Sequence, residues 1–174
     1  RFIDGYGLQT SILQKAVNQG VRLVITVDTG IRAFESIQKA RQLGLDCIIT
    51  DHHLPENGLP NAFAIVNPNR TDCLYPDKNL SGVGGAFKLI QALFIQEKKE
   101  KYLPSFLKVV AIGTIADLVP LIGENRIFAK LGLEGLMTPS NPGLKSLIKA
   151  VGLEGKVITS TDISFRLAPR INAV

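Results

Sequence analysis

Apolar residues recur at two different periods along the first half of this chain, and their alternation predicts the fold. Leu8, Ile12, Leu13, Ala16 and Val17 fall at helical spacing after Gly5, Gly7 and Thr10, and Asn18-Gln19-Gly20 ends the run, which predicts a helix over about 8–19. Val21-Arg22-Leu23-Val24-Ile25-Thr26-Val27 is a short β-branched run that stops at Asp28-Thr29-Gly30, the pattern of a buried strand closing in a turn. Ile31, Phe34, Ile37 and Ala40 restore the helical period over about 31–43, with Gly44 as terminator. Cys47-Ile48-Ile49-Thr50 is a second strand, ending at Asp51-His52-His53. Beyond a loop containing Pro55, Asn57, Gly58 and Pro60, the run Ala62-Phe63-Ala64-Ile65-Val66 reads as a third strand ending at Asn67-Pro68. Helices and strands alternating through short connections predict an α/β fold with a mostly parallel sheet flanked by helices.

The second half has a different texture. Thr71 to Ser81 is irregular, and Ser81-Gly82-Val83-Gly84-Gly85 leads into a helix over about 84–98 whose charged tail, Gln96 to Lys101, is a solvated end. From Pro104 the chain is helical, over about 104–117, 124–137 and 142–151, with Pro and Gly between the segments. The first of these is apolar on all sides and is predicted to be central. The expected organisation is an α/β portion over 1–103 and a helical continuation of the same unit over 104–174.

Composition narrows the class. The chain has 174 residues, 45% hydrophobic and 20% charged, enough apolar surface to offset chain entropy and exclude disorder. No apolar run reaches the ~18 residues of a membrane span, and no basic-then-apolar signal segment opens the chain, so a cytoplasmic location is expected. Cys47 and Cys73 lack metal-type spacing and are read as free thiols. The net charge of +5 favours an anionic partner without identifying it. Beginning at Arg1 and stopping at Arg170-Ile171-Asn172-Ala173-Val174, the sequence reads as an excerpt of a longer protein.

In an open parallel sheet, neighbouring strands end on one edge, and ligands bind outside those ends. Asp28 and the Asp51-His52-His53 triplet are therefore predicted to meet. The chain has only two histidines, and both stand there. Carboxylate and imidazole together suit Mn, Zn or Fe-type divalent ions; the alternatives are a loop that hydrogen-bonds itself and, for Asp28, a turn cap. Asp117 lies in the apolar stretch Val110 to Leu121, where an ionised carboxylate needs a cation or a partner, unless it caps the turn before Pro120. Backbone N–H groups at Gly82 and Gly84 could face a phosphate, with an ordinary Ser81 cap and close helix packing as the alternative. Arg70, Arg126, Lys130, Arg166 and Arg170 suit either a nucleic-acid backbone or a solvated surface.

The ordered set of Asp28-Thr29-Gly30, Asp51-His52-His53, Gly113-Thr114-Ile115-Ala116-Asp117-Leu118-Val119-Pro120-Leu121 and Pro169-Arg170-Ile171-Asn172-Ala173 resembles the RecJ family of bacterial single-strand-specific exonucleases, in the DHH phosphoesterase superfamily. Arg1-Phe2-Ile3-Asp4-Gly5-Tyr6-Gly7-Leu8 is similar to that family as well. The resemblance implies a DHH-type domain that hydrolyses phosphodiester bonds of single-stranded DNA from 5′ to 3′ in DNA repair and recombination, with a helicase or single-strand-binding protein as partner. It implies that Asp28 bridges two divalent ions, usually Mn²⁺ with Mg²⁺ as the alternative, and that His52 and Asp117 are ligands of one of them. Asp51 would orient an imidazole, His53 would face the scissile phosphate, and Arg170 would contact the nucleic acid.

The family's first motif, an Asp-x-Asp strand end, belongs upstream of Arg1 and its accessory domains beyond Val174, so these residues alone are expected to turn over little. Two alternatives are another DHH phosphoesterase, acting on oligonucleotides, cyclic dinucleotides or polyphosphate, and a non-catalytic DHH-derived replication scaffold. The intact Asp28, Asp51, His52, His53 and Asp117 argue against the scaffold.

Overall fold

The three apolar runs form strands β1 (Leu23–Val27), β2 (Asp46–Thr50) and β3 (Ala64–Val66), paired in that order and parallel throughout. The computed structural model describes residues 7–173, so the segment Arg1 to Tyr6 lies outside it. Two compact units divide the chain, Arg1–Lys78 and Asn79–Val174.

In the first unit, α1 (Thr10–Asn18) and α2 (Phe34–Gln42) are shorter than the spacing predicted but stand where it put them. Their buried stripe, Leu13 from α1 with Ile37 and Ala40 from α2, packs on Cys47 and Ile49 of β2 and on Val24 of β1. These strand residues share one face because side chains alternate along a strand and the register sets Val24 beside Cys47. On the opposite face of β1, Leu23, Ile25 and Val27 are 47%, 48% and 51% exposed, which corrects the expectation of a fully buried strand. A continuous apolar run cannot by itself say whether both faces are covered, and β1 is an edge strand with α1 and α2 on one side. Thr71 to Leu80 is irregular, as expected. Cys47 is a free thiol in this core, and burial pushes its pKa up, as does nearby Asp46.

The second unit is helical: α3 (Gly82–Gln96), a 3-10 segment (Glu100–Ser105), α4 (Leu107–Ala116), α5 (Gly123–Leu136), α6 (Pro142–Ala150), α7 (Ser160–Asp162), a π turn (Ile163–Leu167) and α8 (Ala168–Asn172). Within this unit α3 packs on α4 and on the 3-10 segment. As its all-round apolarity predicts, α4 is central, with Val110, Ala111, Ile112, Thr114 and Ile115 buried and α3, α5, the π turn and α8 around it. The helical end beyond 152 is not predicted by periodicity. Its signal is the Thr159–Asp162 capping box, and Pro169 at the start of α8, with no N–H to donate, accompanies the π turn. Among the described residues no helix is long and apolar enough to cross a membrane.

α5 approaches α4 closely at Gly132, where an added Cβ would stand 2.2 Å from Ala111 Cβ and 2.3 Å from the Leu107 carbonyl oxygen. Backbone cannot swing aside as a side chain can. Gly132→Ala is therefore expected to destabilise the protein by about 1–3 kcal/mol, despite the ~1 kcal/mol that Ala gains in helix propensity. Urea unfolding checks this, and an unchanged or raised midpoint would show that α4 and α5 pack less tightly.

Candidate metal centre

Both strand ladders continue one residue past the strand ends. The Asp28 N–H donates to the Thr50 carbonyl at 2.9 Å and the Asp51 N–H to the Val66 carbonyl at 3.1 Å. This sets the exits of β1 and β2 side by side at the carboxyl edge. The chain leaves β1 through a left-handed residue, Asp28 with φ 60°, a conformation that Asp tolerates better than most side chains. Gly30 has φ 115°, and a Cβ there would stand 2.7 Å from Thr26 Oγ1, so only glycine completes this turn into α2.

Asp51 is 2% exposed and spends both carboxylate oxygens on the two turns. Oδ2 accepts from the Ile31 N–H at 2.9 Å, tying the turn after β1 to β2. Oδ1 accepts from the N–H groups of His52 at 2.8 Å and His53 at 3.2 Å, and from His53 Nδ1 at 2.7 Å. Burial on its own pushes the Asp51 pKa up, but the hydrogen bonds from Ile31, the His53 ring and the two histidine amides outweigh it and hold the carboxyl below its usual range. An ionised carboxylate only accepts, so His53 carries its proton on Nδ1 and, when neutral, keeps a lone pair on Nε2.

Asp28 is used differently. His52 Nε2 lies 3.1 Å from Asp28 Oδ1, and one ligand-type atom from each of Asp28, His52 and His53 falls within 4.8 Å of the others. Asp28 Oδ1 is buried and accepts no hydrogen bond, a costly state for a carboxylate oxygen that a cation relieves. One oxygen and two imidazole nitrogens converging on such an atom fit a divalent transition ion. Asp28 and His53 border an open cleft of about 600 Å³, to which Ile31, Arg32 and Asp51 also contribute.

The remaining site residues of the sequence reading lie in the second unit. Asp117 follows α4 as its C-cap and is exposed, which corrects the expectation of a buried carboxylate: the stretch around it is apolar, but the helix ends there. Its negative charge adds to the partial negative charge of a helix C-terminus, a position that favours cations. Leu118 follows at φ 59°, left-handed and 83% exposed. Gly82 and Gly84 are buried in the first turn of α3, where Ser81 Oγ accepts from the Gly84 N–H at 3.1 Å and bonds Thr114 Oγ1 at 2.8 Å. A Cβ on Gly84 would meet Leu80 at 3.3 Å, so cap and packing account for this glycine. Arg170 is exposed and donates from Nη1 to the Arg166 carbonyl at 2.8 Å.

Sequence reasoning missed Asn67 and Asn69. Asn67 is 3% exposed, its Nδ2 donates to the His53 carbonyl at 2.9 Å, and its Oδ1 accepts from the Asn69 N–H at 2.8 Å. Asn69 Nδ2 donates to the His52 carbonyl at 2.6 Å. The strand-edge rule that finds Asp28 and Asp51 also reaches Asn67-Pro68-Asn69, which closes β3.

Residues 4–114 match the family model described as the DHH family, N-terminal domain. The chain is 48% identical over 174 residues to the single-stranded-DNA-specific exonuclease RecJ of Bacillus subtilis, covering all of this chain and 22% of that protein. It is 40% identical over 184 residues to RecJ of Escherichia coli, covering 99% of this chain and 32% of that one. The chain thus spans a third or less of these curated relatives. A crystal structure of exonuclease RecJ bound to manganese superposes with a TM-score of 0.85 at 34% identity, over 99% of this chain and 43% of the other.

Asp51→Asn tests the latch. An amide has one acceptor oxygen for the donors that Asp51 now holds on two, so a loss of about 1–3 kcal/mol is expected at neutral pH. Because the folded pKa of Asp51 is held down, its stabilisation is present above the unfolded-chain value of about 3.9 and is lost as pH falls through the folded value. The stability gap between wild type and Asp51→Asn should therefore narrow below about pH 4. Urea midpoints from pH 5 to pH 3 measure it; a constant gap would mean that Asp51 titrates normally.

Proposed function

This chain belongs to the DHH family through its N-terminal domain, and from that membership we propose that it forms part of the catalytic core of a metal-dependent single-stranded-DNA exonuclease. The carrying observation is the convergence of Asp28, His52 and His53 on a buried carboxylate oxygen that accepts no hydrogen bond. Relatives named as single-stranded-DNA-specific exonucleases, and a related structure bound to manganese, support the substrate and the ion. The reading is 5′-to-3′ hydrolysis of phosphodiester bonds in DNA repair and recombination, in the cytoplasm, with a helicase or single-strand-binding protein nearby.

Mn²⁺, with Mg²⁺ as substitute, would be held by Asp28 and His52, with Asp117 as the further ligand that the family resemblance implies. Such ions supply an ionised water at neutral pH and neutralise charge on phosphoryl oxygens. The protein's own part is positional. Asp51 accepts the Nδ1 proton of His53 at 2.7 Å and so leaves Nε2 as the ring atom available to a phosphoryl oxygen. A ring nitrogen of His53 also lies within 4.8 Å of ligand-type atoms of Asp28 and His52, so His53 is the one residue of the cluster with two readings. Arg170 is the proposed backbone contact, a plain electrostatic one.

Metal titration and turnover separate these roles in the complete polypeptide that carries these residues. Asp28→Ala is expected to lose Mn²⁺ binding and all detectable hydrolysis of end-labelled single-stranded DNA. His53→Ala is expected to keep its Mn²⁺ while turnover falls about 10²-fold or more. Loss of metal from His53→Ala with retention by His52→Ala would reverse the two imidazoles. Wild-type protein that takes up no Mn²⁺ at all would end the metal-dependent reading. The 174 residues alone are expected to hydrolyse DNA poorly, and robust cleavage by them would show that the ligand set is misassigned.

A further inference from the structure

The backbone carrying the two imidazoles is held in an unusual way. Three consecutive carbonyl groups, those of His52, His53 and Leu54, each accept from a different side chain. Asn69 Nδ2 takes His52 at 2.6 Å, Asn67 Nδ2 takes His53 at 2.9 Å, and Arg32 takes Leu54 through Nε and Nη2, both at 3.2 Å. The N–H on the same peptide as the His52 carbonyl, that of His53, donates to Asp51, as does the His52 N–H one peptide earlier. The peptide between His52 and His53 is thus held at both ends, its carbonyl by Asn69 and its N–H by Asp51, and rotating it breaks two hydrogen bonds at once, whereas the next peptide is held at its carbonyl by Asn67.

The hold is graded. Asn67 is nearly fully buried and is itself oriented by the Asn69 N–H, so the two asparagines form one unit at the exit of β3. Arg32 is an exposed side chain that shares its Nε with Glu56 at 3.2 Å and holds only Leu54, which carries no ligand. The asparagines act on the ligand-bearing peptides, and Arg32 acts one residue beyond.

We propose that Asn69 and Asn67 are positioning residues that aim the imidazoles of His52 and His53, respectively, through their backbone carbonyls. This rests on the reading of Asp28, His52 and His53 as a metal centre, but the aiming itself is a property of the metal-free protein. A carbonyl released from its side chain lets the peptide swing, and the ring it carries moves with it. Small displacements matter here because a coordinate bond tolerates a few tenths of an ångström. Outer partners that orient ligands typically contribute 10- to 100-fold in metal affinity.

Asn69→Ala and Asn69→Asp remove the donor from His52, the second while keeping the shape. Asn67→Ala does the same for His53 but empties a buried position, so Asn69 carries the decision if Asn67→Ala fails to fold. Ring ¹⁵N shifts of the metal-free protein report each imidazole's environment, and only two histidines contribute in this chain. The expected result is that both Asn69 variants move the His52 ring signals and leave those of His53 nearly in place, with a melting temperature close to wild type. Calorimetric Mn²⁺ affinity should fall on the order of 10-fold. Unmoved His52 signals would overturn the proposal, and so would equal movement of both rings with a large loss of stability, the mark of a structural role only. Failure of the wild type to bind Mn²⁺ would instead sink the metal reading, while the ring shifts would still judge the aiming.

Discussion

One buried carboxylate organises this site. Asp51 is cut off from water, and a charge in that position is tolerable only because four donors face it, from Ile31, from the two histidine amides and from the His53 ring. Those donors come from the turns that follow two different strands. Neutralising the desolvation cost and assembling the two turns are therefore a single event: the charge stays buried only if Ile31 and His53 are where the site needs them.

Two aspartates at the same sheet edge thus have opposite fates. Asp51 has both carboxylate oxygens engaged by protein donors. Asp28, one strand over, leaves β1 in a left-handed conformation, with a buried oxygen that accepts no hydrogen bond and an imidazole nitrogen 3.1 Å away. The first is a fixed part of the frame. The second keeps a buried oxygen without a hydrogen bond in a left-handed backbone conformation, a local strain that its surroundings impose.

The second unit repeats the logic in helical form. The first half of α4 packs closely on α5 at Gly132, and α4 ends in Asp117 followed by a left-handed Leu118. A leucine in that conformation costs about 1–2 kcal/mol, and an acid at a helix C-terminus is electrostatically unfavourable. Below them, Asn125 is fully buried and donates from Nδ2 to the carbonyls of Asn79 at 2.6 Å and Pro120 at 3.1 Å, which anchors the segment just after Asp117.

The sequence by itself determined the strands, most of the helices and the edge at which Asp28 meets the Asp51-His52-His53 triplet. Those features follow from local rules: β-branched runs bounded by Gly and Asp, helical spacing closed by Gly, and the shared edge of parallel strands. Only the tertiary structure decided that Leu23, Ile25 and Val27 face outward on an edge strand, because an apolar run does not encode which of its faces is covered. It likewise decided that Asp117 is exposed, since an apolar neighbourhood in sequence says nothing about where a helix ends in space. The division of labour between Asp28 and Asp51, and the grip of Asn67 and Asn69 on the histidine carbonyls, are also beyond sequence. They depend on hydrogen bonds between residues from 14 to 20 positions apart, whose directions exist only once the sheet has formed.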